Sequence, residues 1–292
     1  APEAAPWRIG EGCVAAANET FRAAVEAGDW DGCVALARAQ EKAGTQVLSL
    51  GFAGQGRDET ADMEAFVARL RGTVNAAISL NADDPAALEA ALKLYGGKPM
   101  VGGVDFAGGS DGAGQRLALA RRFGAAAMGR LIDEDGPALD ADAALGIARR
   151  LYDLACGEHE LAPADLMIEV PTWPLASAAG RASAAPTLDA IEAVAKEFPE
   201  CRTVVSLSAL SAGLDTPVRQ VVEAVFVEHA SERGLAAFIT DVSAIQPAAE
   251  LGPIERRAAE DLIFARQRDG RDALDALARL NVPAGVDISI KL

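Results

Sequence analysis

The sequence is poor in basic side chains: 27 Lys and Arg stand against 43 Asp and Glu, leaving a net charge of −16 over 292 residues. A nucleic-acid backbone or an anionic membrane surface rewards Lys and Arg, so neither is expected as a partner. No apolar run approaches the roughly 20 residues of a membrane-spanning helix. The opening APEAAPWRIG has no basic segment followed by an apolar one, as a signal peptide would, and a cytoplasmic protein is expected. The four cysteines, Cys13, Cys33, Cys156 and Cys201, fall in no C-x-x-C or zinc-like spacing, and read as small buried apolar residues. Of the two histidines, His159 sits in the turn CGEHEL and His229 inside the helical stretch VVEAVFVEHASERG. That placement suits packing or surface roles and weakens a His-based hydrolase or a His-ligated metal. No G-x-G-x-x-G follows the first apolar run, and the loops GGSDGAG and GFAGQG lack the spacing or the lysine of a phosphate cradle.

What the chain does have is regular alternation. The short apolar runs WRIGE, VLSLGF, AAISLN, MVGGVDF, AAAMGRLI, DLMIEV, TVVSLS and AAFITDV read as strands buried on both faces. Between them lie helical stretches with boundary signals. DWDGCVALARAQEKAG starts at an aspartate cap and stops at Gly44, and DDPAALEAALKLYGG places Pro85 in its first turn. TPVRQVVEAVFVEHASERG is expected to be capped by Thr216, with Pro217 first in the helix. Eight strands each followed by a helix predict an α/β chain closed into a (β/α)8 TIM barrel, one domain over residues 1–292, with an open doubly wound sheet as the alternative. PLASAAGRASAAPT, Pro174 to Thr187, reads as a loop, either a flexible lid or plain surface. Two helices, PIERRAAEDLIFARQRDG and DALDALARL, are expected to close the chain.

Barrel chemistry sits at the C-terminal strand ends. Those positions hold Glu11 and Cys13, Ser49 and Gly51, Asn81, Asp105, Asp133 with Glu134, Glu169, Ser208 and Ser211, and Asp241. Each alone could cap a helix or a loop; crowded acids on one rim instead call for a cation, a proton or a donor-rich ligand. Arg130 is a charge inside an apolar strand. It either points into the barrel, to pair with an acid or an anionic ligand, or leans toward the helices as a snorkelling side chain. Trp173, in EVPTWP, offers a ring for a planar ligand or for loop packing.

Taken in order, IGE, ALARAQEKAGTQVLSLG, ALKLYGGKPMVGGV, RRFGAAAMGRLIDEDG, LSALSAGLDTPVRQVVEAVF and AAEDLIFARQRDG resemble the pterin-binding family. The resemblance is to its methyltetrahydrofolate:corrinoid-protein methyltransferases, which include the folate-binding module of cobalamin-dependent methionine synthase, and it covers nearly the whole chain. It implies a dihydropteroate-synthase-like barrel, often a homodimer, with tetrahydrofolate or methyltetrahydrofolate in its mouth. It also implies transfer of the N5-methyl to cobalamin on a partner, a corrinoid-binding protein. Residue by residue, Asp133 falls on the family's pterin-contacting acid, which makes it the candidate catalytic residue. Glu11, Asn81, Asp105, Glu134, Glu169, Ser208 and Arg130 are candidate ligand contacts. Elsewhere the family's polar groups are replaced. The Arg-Thr-Asn after the first motif is Gly12, Cys13 and Val14; the second strand's Asp-x-Asn becomes Ser49 and Gly51; the third strand's acid is Asn81. The fourth strand's asparagine is Gly102, the sixth strand's Asp-Pro-Asn is Glu169, Val170 and Pro171, and the asparagine expected near N5 is Ala209.

Removing one hydrogen-bonding partner of a buried ligand costs about 1–3 kcal/mol, so a changed small-molecule pocket is expected. Three readings stay open at this point. The first is a corrinoid-linked methyltransferase with an altered pocket. The second is a non-catalytic paralogue that docks beside an active enzyme. The third is a barrel holding a divalent metal on Glu11, Asp105, Asp133 and Glu169.

Overall fold

A computed structural model describes residues 5–52, 56–241, 251–266 and 273–280. Its strands are β1 (Trp7–Val14), β2 (Val47–Gly51), β3 (Ala77–Asn81), β4 (Met100–Val104) and β5 (Ala126–Arg130), then the hairpin pair β6 (Ile132–Asp133) and β7 (Gly136–Pro137), then β8 (Leu166–Val170), β9 (Arg202–Ser206) and β10 (Leu235–Thr240). Eight of them form a closed, parallel barrel in the order β1-β10-β9-β8-β5-β4-β3-β2, with β1 pairing β2 to complete it. The eight apolar runs are therefore the eight barrel strands, and the open sheet is set aside.

Period-two alternation decides what each strand sends inward. The barrel floor is a cluster of Ile9, Val47, Met100, Met128, Met167, Val204 and Ala237. Three unbranched methionines suit an irregular space closed by small neighbours. Two residues further along the same inner faces come Ser49 and Ser79, Gly102, Arg130, Glu169, Ser206 and Ile239, so polarity rises toward the mouth. The outward faces, with Leu48, Leu50, Ile78, Leu80, Ala127, Leu166 and Ile168, join one large apolar layer beneath the helices.

The helices are α1 (Glu19–Ala27), α2 (Trp30–Lys42), α3 (Glu59–Leu70), α4 (Pro85–Leu94), α5 (Ser110–Phe123), α6 (Ala141–Tyr152), α7 (Ala178–Glu197), the single turn α8 (Leu207–Leu210), α9 (Thr216–Ser231), α10 (Pro253–Ile263) and α11 (Ala273–Leu280). Asp29 and Asp84 cap α2 and α4 through their carboxylates, as their positions predict. Two expectations are corrected. Asp215 rather than Thr216 is the residue preceding α9, and Thr216 opens the helix itself. The stretch read as a loop from Pro174 is mostly helix: Ser177 accepts from the Gly180 amide at 2.9 Å, and α7 runs on through Pro186. Alanine-rich sequence favours the helix, which carries the proline at the cost of one missing amide donor. Of the closing helices, the segment 267–272 lies outside the described residues, as does most of the glycine-rich stretch after Phe52. Among the described residues, no helix is long and apolar enough to cross a membrane.

Candidate functional site

The mouth is built from the strand ends and has two polar sides. On the first, β1 carries a bulge between Gly10 and Cys13. Gln40 of α2, itself buried, reaches into the bulge: its Oε1 accepts from the Gly12 amide at 2.9 Å and its Nε2 approaches Cys13 Sγ at 3.2 Å. This turns Cys13 outward into the apolar layer, where burial pushes its thiol up to about 12. Glu11 projects at the mouth and accepts a hydrogen bond from the Ser208 hydroxyl. Ser208 lies on the turn α8, which Ser206 caps by accepting from the Ala209 amide at 3.2 Å. Behind that turn Glu223, 1% exposed, takes the Ser211 hydroxyl at 2.5 Å and Arg219 Nε at 2.9 Å on one carboxylate oxygen. Ser211 therefore anchors the turn to α9 and does not face the mouth. Sequence reasoning named neither Gln40, Arg219 nor Glu223; the regular amphipathic spacing of their helices hides them.

On the second side, Arg130 stands beside Glu169, its partner in the β5–β8 register. Arg130 Nε donates to Asp105 Oδ2 at 2.9 Å, Nη2 donates to the same oxygen, and Asp105 Oδ1 accepts from the Ala107 amide. Of the two alternatives for Arg130, the inward one holds. Asn81, at the end of β3, donates from Nδ2 to Ser49 Oγ at 2.9 Å, with the Leu50 and Ser79 carbonyls further off. Its Oδ1 lies over Gly102, where an added Cβ would come within 1.9 Å. Between these groups a cavity of about 140 Å³ opens, bounded by Gly51, Asn81, Gly102, Gly103, Arg116 and Arg130 among others.

Asp133 and Glu134 are placed differently. Asp133 lies in the β6–β7 hairpin, and its Oδ1 accepts from the Asp135 amide at 3.0 Å. Glu134 turns away to a bidentate pair with Arg150 of α6, at 3.0 and 3.1 Å, and Arg150 in turn lies over the Phe106 ring. The structure thus brings Glu11 to Ser208, and Arg130 to Asp105 and Glu169, while Glu134 faces a helix. Among the described residues, no three His, Cys, Asp or Glu side chains are placed to hold a metal ion together. His229 packs edge-on against Phe264.

Burial raises the pKa of both half-buried mouth carboxyls. For Glu11, desolvation outweighs the Ser208 hydrogen bond and the charge of Arg219, and the nearby acids Asp241 and Glu223 add to the rise. For Glu169, desolvation outweighs Arg130, and Asp105 adds to the rise. Each carboxyl holds its proton more tightly folded than unfolded. Its contribution to stability is therefore complete below the ordinary value of 4.5 and is lost as pH rises through the raised folded value. The expected result is a melting temperature whose decline as pH rises above the ordinary 4.5 is shallower in the double variant Glu11→Gln, Glu169→Gln than in the parent. Parallel curves would mean that neither group titrates anomalously.

Known proteins share this architecture. The family described as pterin binding enzyme matches residues 12–241. Methionine synthase of Mycobacterium tuberculosis is 32% identical over 285 residues, covering 96% of this chain and 24% of that protein. The Mycobacterium leprae methionine synthase is 31% identical over 274 residues, covering 92% and 23%. The chain thus spans about a quarter of the length of these curated relatives. Among solved structures, a dihydropteroate synthase from Stenotrophomonas maltophilia with imidazole in its active site aligns at a TM-score of 0.59. That alignment covers 94% of this chain and 93% of that one, at 15% identity, a likeness of fold.

Proposed function

Because the chain belongs to the pterin-binding enzyme family, we propose that it is a methyltransferase of the methyltetrahydrofolate/corrinoid-protein type with an altered small-molecule pocket. In this reading it works in the cytoplasm as a homodimeric barrel. It moves a methyl group between a small molecule, a folate or another donor, and cobalamin on a corrinoid-binding protein. The observation that carries the proposal is similarity to methionine synthases along 96% of the chain, joined to a rim that keeps protonatable groups where a ligand would lie. Cobalamin on the partner would supply the methyl acceptor; this chain supplies binding, orientation and a proton. As the N5–CH3 bond of a folate donor breaks, its electron pair stays on nitrogen, which must gain a proton to leave. Glu11, held by Ser208 on the turn that also carries Ala209, is the proton carrier in this reading. Asp133, whose Oδ2 takes no hydrogen bond among the described residues, orients the ligand's edge. Glu169, Arg130 with Asp105, and Asn81 complete the grip.

The residues present fit a folate only in part. Gly51, Gly102 and Ala209 offer no side-chain polar group, and the Asn81 amide is already engaged by Ser49. Affinity for methyltetrahydrofolate is therefore expected to be at least about 10²-fold weaker than in an active family member, about 2.7 kcal/mol. Isothermal titration of both proteins measures this. Restoring Ala209→Asn alone should leave the deficit in place, because the other polar groups are still missing. The activity itself is tested by following methyl transfer to a corrinoid protein from methyltetrahydrofolate and from simpler methyl donors. Equal folate affinity would mean the pocket has been misread. A stable complex with the corrinoid protein and no transfer from any donor would instead favour the docking subunit.

A further inference from the structure

We propose that the cavity between β2 and β5 is an oxyanion subsite, in which Arg116 and Arg130 take a carboxylate or phosphate group carried by the ligand. The charged residues on its wall are Arg116, Arg130 and the exposed Asp83. Arg130 gives Nε and Nη2 to a single oxygen of Asp105, which offsets its charge and leaves Nη1 uncommitted. Arg116, projecting from α5, has no such offset. It forms no ion pair among the described residues, and its one hydrogen bond is a long 3.3 Å contact from Nη2 to the Asp83 carbonyl. Its Nη1 is shielded from solvent and meets no acceptor among the described residues. A half-buried guanidinium without a counter-charge is costly unless an anion joins it. In a chain of net charge −16, acids to neutralise it are plentiful, yet among the described residues none forms an ion pair with it, and the neighbouring Asp83 meets it through the backbone carbonyl. The planar fork of a guanidinium matches the paired oxygens of a carboxylate or phosphate. Around the two arginines, Gly51, Gly102 and Gly103 present bare backbone, so the body of a ligand can lie close to the strand ends while its anionic end meets the cations.

This subsite holds whatever group the ligand carries to the other side of the mouth, so its failure and that of methyl transfer are separable. The test is thermal shift and isothermal titration of the full chain with inorganic phosphate and with L-glutamate through the millimolar range, against sodium chloride at matched ionic strength. Saturable stabilisation beyond chloride is expected, weakened by at least about tenfold in Arg116→Gln and in Arg130→Gln and partly kept in Arg116→Lys. Arg130→Gln also breaks the Asp105 pair, so Arg116→Gln, which gives up only a long and weak hydrogen bond, is the deciding variant. A response to phosphate alone assigns a phosphorylated ligand, and a response to glutamate alone a carboxylate. No stabilisation beyond chloride, or stabilisation undiminished in Arg116→Gln, overturns the proposal.

Discussion

Gly102→Ala is expected to lower the melting temperature by roughly 2–12 °C. The added Cβ would stand 1.9 Å from Asn81 Oδ1, 2.8 Å from its Cγ and 3.3 Å from the Leu80 carbonyl. Asn81 cannot yield by a small rotation, because its Nδ2 is held by Ser49 Oγ at 2.9 Å. It must leave its place and break that bond. Overpacking of this kind costs about 1–3 kcal/mol, and for a domain of this size each kcal/mol moves the midpoint by about 2–4 °C. The double variant Asn81→Ala, Gly102→Ala removes the obstacle. It should recover most of the loss relative to Asn81→Ala, giving a coupling of about 1–2 kcal/mol. A Gly102→Ala protein as stable as the parent would refute the placement of Asn81. The functional corollary is that an asparagine at 102, as the family resemblance would put there, and Asn81 as it now sits exclude one another. The bare strand end at 102 is the space Asn81 occupies, so reverting one position without the other fails on steric grounds.

The barrel was legible because strands buried on both faces are written as short apolar runs, and because aspartates and prolines mark the helix starts. Arg130 could be picked out as a lone charge in such a run, but its direction stayed open between barrel and helices until the Asp105 pair placed it. Other features were not legible. The helix from Ala178 is written in Ala, Ser, Gly and Pro, a composition that loops share, and only the Ser177 cap signals its start. Glu134 neighbours Asp133 in sequence, but the hairpin sends it to Arg150 on the far side. Arg116 lies fourteen positions before Arg130, on a helix whose exposed face is rich in charge. Nothing local distinguishes it from Arg121 or Arg122; the α5–β5 connection brings it to the cavity. The site was therefore readable where it rests on strand ends and hidden where helices reach over the rim.

Glu11→Gln is expected to reduce the turnover of methyl transfer by about 10²–10⁴-fold, the scale of a missing general acid. It should also leave the fold intact, because glutamine keeps both the length and an acceptor oxygen for Ser208. In the parent, turnover should fall as pH rises through the raised value of Glu11, since only the protonated carboxyl can give up a proton. In Glu11→Gln that alkaline fall should disappear. Ser208→Ala moves it predictably. The hydroxyl donates to the carboxylate and so favours its ionised form; removing it raises the pKa further and carries the alkaline limb to higher pH. Asp133→Asn behaves differently. Its amide oxygen can still accept from the Asp135 amide, so the hairpin turn and the melting temperature survive. The loss of charge at the ligand's edge should then appear mainly as a raised KM. Turnover and pH profile unchanged in Glu11→Gln, with turnover abolished in Asp133→Asn, would transfer the proton to Asp133. That result would place the chemistry over the hairpin after β5, on the opposite side of the mouth from β1.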